Sequence, residues 1–187
     1  MALERIVIVG KCGVGKTTLA VQLAGMLDLV NVELDSINWQ PNWVMLPKHE
    51  MRERVDEALP VAGRWIADGN YVRVVRDIVW VRADTLIWLD YSLRVALLRV
   101  LRRTIGRVVN RKELWNGNRE TLRRHLNPDP NQSLFLRTIR MHKKHRNDFP
   151  TVFEQTEYRH LNILRFRSPK ETKQWLCRLS NARENGR

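Results

Sequence analysis

Apolar residues recur along this chain in two rhythms. Short unbroken runs, such as Ile6-Val7-Ile8-Val9, Arg64-Trp65-Ile66-Ala67 and Thr85-Leu86-Ile87-Trp88-Leu89, suit strands buried on both faces. Shorter apolar runs predict strands at residues 32–34 and 161–165. Between these lie stretches with apolar residues at helical spacing, which predict helices over about 16–27, 47–59, 74–81, 93–105, 131–149 and 168–179. Pro47 suits the first turn of the second. Residues 28–31 turn the chain, and residues 35–43 read as a loop with two exposed tryptophans. Strands alternating with helices imply an α/β fold, a parallel sheet covered on both faces. Residues 106–130 break the rhythm. They are polar and basic, hold Gly106, Gly117, Pro128 and Pro130, and suggest a lid or small insertion, with lid bounds at about 104–131. Residues 1–180 are expected to form one domain and 181–187 a flexible tail. No internal repeat is visible.

Composition narrows the class. The apolar fraction is 43%, and no run approaches the roughly 20 residues needed to span a bilayer. The chain enters a strand almost at once, with no visible export signal, and its two cysteines make no disulfide framework. A soluble protein of the reducing cytoplasm is expected. The net charge is +13. Residues 95–147 hold fourteen Lys or Arg less three Asp or Glu, leaving +11 in that segment. Such a field attracts polyanions: nucleotide phosphates, nucleic acid or a phosphorylated substrate.

The densest chemistry sits between the first strand and the first helix. Gly10-Lys11-Cys12-Gly13-Val14-Gly15-Lys16-Thr17 reads G-x-x-x-x-G-K-T, the Walker A phosphate-loop pattern, without a mismatch. Its glycines allow successive N–H groups to point into one concavity, and the following helix adds its partial positive end. Lys16 would reach the β- and γ-phosphates, and the Thr17 hydroxyl would hold Mg²⁺. The candidate nucleotide site is Gly10, Gly13, Val14, Gly15, Lys16, Thr17 and Thr18. A dinucleotide fingerprint would need glycine or alanine at position 18, where Thr18 stands. Cys12 reads as a small, tolerated side chain in the loop.

Three predicted strands lead into aspartate: Asp35, Asp68 and Asp90. In an open parallel sheet these ends share one binding edge. Capping alone would explain a lone aspartate, and it explains Asp90, which precedes a helix directly. Asp68 precedes Gly69, which leaves room for a ligand, and suits Mg²⁺ beside Thr17. Asp35 suits contact with an acceptor substrate, where a carboxylate can take a proton from an attacking hydroxyl. His142 and His145 stand at i, i+3, a spacing that does not by itself make a metal centre, and a metal site there is not expected. Trp115-Asn116-Gly117-Asn118-Arg119-Glu120 looks like a turn that packs the lid, with contact of its polar groups to substrate as the other reading.

The chain resembles the adenylate-kinase-like P-loop kinases, and among them the small bacterial proteins of the DNA topology modulation type. The resemblance rests on the phosphate loop, on Leu34 to Trp43, on Trp65 to Tyr71, on Arg99 with Arg103, and on Arg167-Ser168-Pro169-Lys170-Glu171. It implies a three-layer P-loop NTPase fold with five parallel strands in the order 2-3-1-4-5 and a basic helical lid. It also implies that Asp68 holds Mg²⁺ through water, that Arg99 stacks on adenine, that Arg103 touches phosphates, and that Arg167 borders the adenine. Arg140 and Arg146 are further lid candidates. The AMP-binding pattern of true adenylate kinases is not evident. The expected activity is therefore transfer of the γ-phosphate of MgATP to an unidentified nucleotide or small metabolite. Lys16, Asp35, Asp68 and Arg103 are the catalytic candidates. The alternatives are a nucleic-acid-associated ATP-binding protein acting through the basic segment 95–147, and plain NTP hydrolysis, for which no residue evidently positions a water.

Overall fold

The structure is a computed structural model that describes residues 3–121 and 133–184. Five strands, β1 (Arg5–Val9), β2 (Val30–Glu33), β3 (Trp65–Asp68), β4 (Thr85–Leu89) and β5 (Asn162–Phe166), form one sheet. Every pairing in it is parallel, and the order is β2-β3-β1-β4-β5, the order expected. Alternation along the strands splits the core in two. Val7, Val9, Trp65, Ala67, Leu86 and Trp88 face one layer, and Ile6, Ile8, Ile66, Ile87 and Leu89 the other.

The first layer is built by α3 (Lys48–Ala58), α4 (Val72–Arg82) and the end of α6 (Leu134–Phe153). The second is built by α1 (Lys16–Leu27), the start of α5 (Leu93–Val109) and α7 (Pro169–Glu184). A rosette of rings fills the first layer: Phe149 lies 5.7 Å from Trp80 and 5.2 Å from Trp88.

The helices depart from their predicted ends for physical reasons. α5 runs through Gly106 to Val109, because Ala96, Val100 and Thr104 are buried and hold it. α6 continues through Pro150, because Phe149 on one side of it and Val152 and Phe153 on the other pack on the first core. Pro47 occupies the N-cap position of α3 rather than its first turn. Of the expected lid, 104–109 is helix, and residues 122–131 lie outside the described residues, as do 185–187 of the expected tail.

The tryptophan loop is the largest correction. Leu34 does not extend β2; it opens a short helix, α2 (Leu34–Asn38). A hairpin follows, Trp39–Gln40 pairing antiparallel with Val44–Met45. A second hairpin pairs Glu113–Leu114 with Asn118–Arg119. Trp39 is buried and Trp43 half-buried, contrary to the expected exposure. Trp43 sits edge-on between Trp39 at 5.4 Å and Trp115 at 6.2 Å. Asn118, buried at the joint, donates to the carbonyls of Gln40 (2.8 Å) and Trp115 (2.7 Å) and accepts from the Trp43 N–H (2.6 Å). Asn116 donates to the Trp39 carbonyl, and the Trp43 indole donates to the Arg119 carbonyl. The 115–120 turn thus packs against the tryptophan loop, and the two hairpins form one clasp. No described helix is long and apolar enough to cross a membrane.

Candidate active site

The phosphate loop leaves β1 at the middle of the sheet, so the β2, β3 and β4 ends flank it. Gly13 has φ 79°, and a Cβ there would lie 2.5 Å from the Ala96 carbonyl oxygen and 2.6 Å from a Val100 methyl. The loop is therefore pressed against α5, and only glycine fits. Gly15, at φ 95°, is the N-cap of α1 and turns the chain so that Lys16 and Thr17 open the helix. The Asn70 side chain accepts from the Gly10 N–H at 3.3 Å and braces the loop's entry. Lys11 folds beneath the loop and donates to the Tyr91 carbonyl; burial brings its ammonium down to about 8.

Thr17 donates its hydroxyl to Asp68 Oδ2 at 2.7 Å. Asp68 is 3% exposed, and its Oδ1 has no hydrogen-bond partner among the described residues. Burial pushes this carboxyl up to about 6, against the opposing pull of the Thr17 hydroxyl and Lys16. A buried, unsatisfied carboxylate oxygen beside a threonine hydroxyl suits a hard divalent cation that keeps most of its waters. Sequence reasoning missed Glu33. Its register partner across the sheet is Asp68. Its Oε1 lies 3.4 Å from Thr17 Oγ1, and its Oε2 accepts from the Trp115 indole at 2.9 Å. The one signal in the sequence was its place as the last residue before Leu34, which put its carboxylate at the end of the short strand.

Asp35 stands on the first turn of α2, not in an open loop. The Tyr71 hydroxyl donates to Asp35 Oδ1 at 2.5 Å, and Asn38 donates to that same hydroxyl oxygen at 3.2 Å. Burial, reinforced by Asp35, raises the Tyr71 phenol and keeps it a donor. Gly69 does not make room for a ligand: a Cβ there would lie 2.8 Å from Leu34 Cβ, so the glycine admits α2. Asp90 is not a cap either; Ser92 caps α5. Asp90 is buried and accepts from Arg146 Nε at 2.9 Å and Arg165 Nη2 at 2.6 Å. Burial works to raise its carboxyl, but the hydrogen bonds from Arg165 and Arg146 hold it below its usual range.

Arg99 and Arg103 lie one turn apart on α5. Arg99 donates to the Val14 carbonyl at 2.8 Å and lies over the Tyr91 ring at 5.5 Å. Arg103 lies one turn further into the cleft, and burial lowers its guanidinium, with Arg107 adding to the effect.

Gly13, Val14, Gly15, Lys16, Thr17, Thr18, Asp35, Arg99 and Arg103 all border one cleft of about 1930 Å³. Gly10 and Asp68 do not line it, but each is hydrogen-bonded to a residue that does, Gly10 to Asn70 and Asp68 to Thr17. Arg167 does not border it: this side chain is exposed and its N–H donates to Glu171. Pro169, Thr172 and Lys173 of α7 line that end instead. Much of the basic excess faces inward, since Arg99, Arg103, Arg107, Arg137, Arg140 and Lys144 border the cleft. His145 is a core group, stacked on Phe149 at 4.4 Å, and burial brings its imidazole down to about 3. Among the described residues no cluster of three His, Cys, Asp or Glu could hold a metal by itself.

No family model and no curated protein matches the chain. Among solved structures, it is similar to a gluconokinase from Sinorhizobium meliloti 1021, with 16% identity, a TM-score of 0.52, and 98% of this chain and 97% of that one covered. It is also similar to a shikimate kinase from Bacteroides thetaiotaomicron, with 14% identity, a TM-score of 0.51, and coverage of 98% and 99%. The chain has the α/β fold of P-loop kinases; these matches do not bear on the narrower likeness to DNA topology modulation proteins.

Proposed function

We propose that this protein is an ATP-dependent phosphotransferase that moves the γ-phosphoryl group to a hydroxyl of a small acceptor. The observation that carries this reading is the Thr17–Asp68 pair beside the phosphate loop, with a buried carboxylate oxygen left unsatisfied and Asp35 across the same cleft. Both fold neighbours bear the names of small-molecule kinases, which supports the same class.

The residues divide the work. The loop N–H groups and Lys16 bind the β- and γ-phosphates. Thr17 and Asp68 hold Mg²⁺, which neutralises charge on the phosphate oxygens when bound. Glu33 borders that position. Asp35, aimed by Tyr71 and Asn38, accepts the proton of the acceptor hydroxyl. Arg103 faces the transferring group, and Arg99 holds the loop carbonyl at Val14. The nucleic-acid alternative draws on the same +11 charge, but six of those cations border the cleft rather than one outer face.

Calorimetric titration with ADP and Mg²⁺ tests the nucleotide half, and labelled ATP with a metabolite library tests the transfer. Binding that requires Mg²⁺ and disappears in Lys16→Ala is expected, with label appearing on one acceptor class. ATP turnover that no nucleoside, nucleotide or metabolite stimulates, but that nucleic acid does, overturns the reading.

A further inference from the structure

The cleft extends well past the phosphate loop. Small-molecule sites typically enclose about 300–1,000 Å³, so about 1930 Å³ accommodates two ligands side by side. The far half is walled by α4, the start of α3 and one face of α6. Lys48, Arg73, Arg76, Arg137 and Arg140 border it. Among the described residues no carboxylate pairs with Lys48, Arg73, Arg76 or Arg140. The two acids nearby are already engaged, Asp77 by both Nη atoms of Arg52 and Asp148 by Lys144. Arg76 lies over the Tyr158 ring at 5.3 Å, which fixes its guanidinium plane. Phe149 and Tyr158 give this half an apolar floor. The N-terminus of α4 also opens here, with no side-chain cap and no acid in its first turn. Its N-cap residue is Tyr71, which holds Asp35.

We propose that this half of the cleft is a phosphate-binding subsite, and that the acceptor is a phosphomonoester that also bears a free hydroxyl. The inference rests on the kinase reading above. Four cations without a carboxylate partner among the described residues, together with a helix N-terminus, match a dianion with three oxygens better than the single charge of a carboxylate. The placement assigns ends: the acceptor's own phosphate sits between Arg73 and Arg140, and its hydroxyl lies at Asp35. In the transfer, the hydroxyl oxygen bonds to the γ-phosphorus as the β,γ-bridging P–O bond breaks. ADP leaves with that electron pair, Asp35 receives the hydroxyl proton, and the product is a bisphosphate.

The test uses the full chain saturated with ADP and Mg²⁺, so that the phosphate loop is already filled. Inorganic phosphate, glycerol 3-phosphate and phenyl phosphate are titrated calorimetrically against glycerate, glycerol and phenol. Millimolar or tighter binding by at least one phosphate probe is expected, with the carboxylate and the uncharged probes weaker. The double variant Arg73→Gln/Arg140→Gln is expected to weaken phosphate binding at least tenfold while ADP binding stays within about twofold. Arg102→Gln, an exposed cation on α5 outside the cleft, is expected to change neither. Glycerate binding as tightly as the phosphates overturns the proposal. So does phosphate binding that is absent, that survives the double variant, or that falls equally in Arg102→Gln. Failure of ADP to bind the unmodified protein instead overturns the kinase reading itself.

Discussion

Replacing Asn118 with alanine loosens the joint between the two hairpins and leaves untouched the sheet that carries the phosphate loop. Asn118 is 3% exposed and makes three hydrogen bonds of 2.6–2.8 Å, two donated and one accepted. At about 0.5–1.5 kcal/mol each, their loss costs roughly 2–4 kcal/mol, with the Trp43 N–H and the Gln40 carbonyl left to find water. Trp39, Trp43 and Trp115 belong to neither core cluster. The loss therefore falls on local opening of the hairpins rather than on global unfolding. Hydrogen exchange read residue by residue is the assay. The Trp43 amide should exchange about a hundredfold faster, while Ile8 and Leu86 in the sheet keep their protection and Tm falls by only a few degrees. Asn118→Asp retains an acceptor for the Trp43 N–H and should exchange at an intermediate rate. Unchanged exchange at Trp43, or a uniform acceleration through the sheet with a large drop in Tm, would refute the reasoning.

Three further outcomes follow from other parts of the molecule. Because Asp68 titrates at about 6, above its unfolded value near 4, its contribution to folding stability is present below about pH 4 and is lost as pH rises to 6; Mg²⁺-dependent ADP affinity runs the other way, rising up to about tenfold per unit below pH 6 and levelling above it, and Asp68→Asn should flatten both profiles. Phe149→Ala empties the ring cluster of Trp80, Trp88 and Phe153 and should cost about 3–5 kcal/mol, seen as a Tm lower by roughly 10 °C in calorimetry. Gly13→Ala drives a methyl into the Ala96 carbonyl at a positive φ and should abolish ADP binding while circular dichroism still reports the α/β content.

What the sequence makes legible here is whatever is local. The strand runs at Ile6, Trp65 and Thr85, the G-x-x-x-x-G-K-T loop and the helix after it each carry their signal within about a dozen residues, and the sheet formed from them as expected. The misread features depend on partners far along the chain. Asp90 has the local context of a cap, but its arginines lie 56 and 75 residues away. Trp43 follows Gln40-Pro41-Asn42 and looks exposed in a loop, because the Asn118 and Trp115 that enclose it come from the other hairpin. Gly69 precedes no ligand space, because Leu34 fills it, and nothing near either residue in sequence announces that contact. Glu33 stayed hidden behind Asp35, two positions on, until β2 and β3 set it in register with Asp68.

The three clasp indoles have an optical consequence. Chromophores held edge-on within 5.4 and 6.2 Å exchange excitation energy, and a fixed chiral arrangement of this kind splits their far-ultraviolet transitions into a couplet of opposite signs. The four remaining tryptophans, Trp65, Trp80, Trp88 and Trp175, sit elsewhere, three in the first core and one against the second. The clasp therefore writes its own signature into the dichroism spectrum, one that fades when the hairpins part and needs neither label nor ligand to be read.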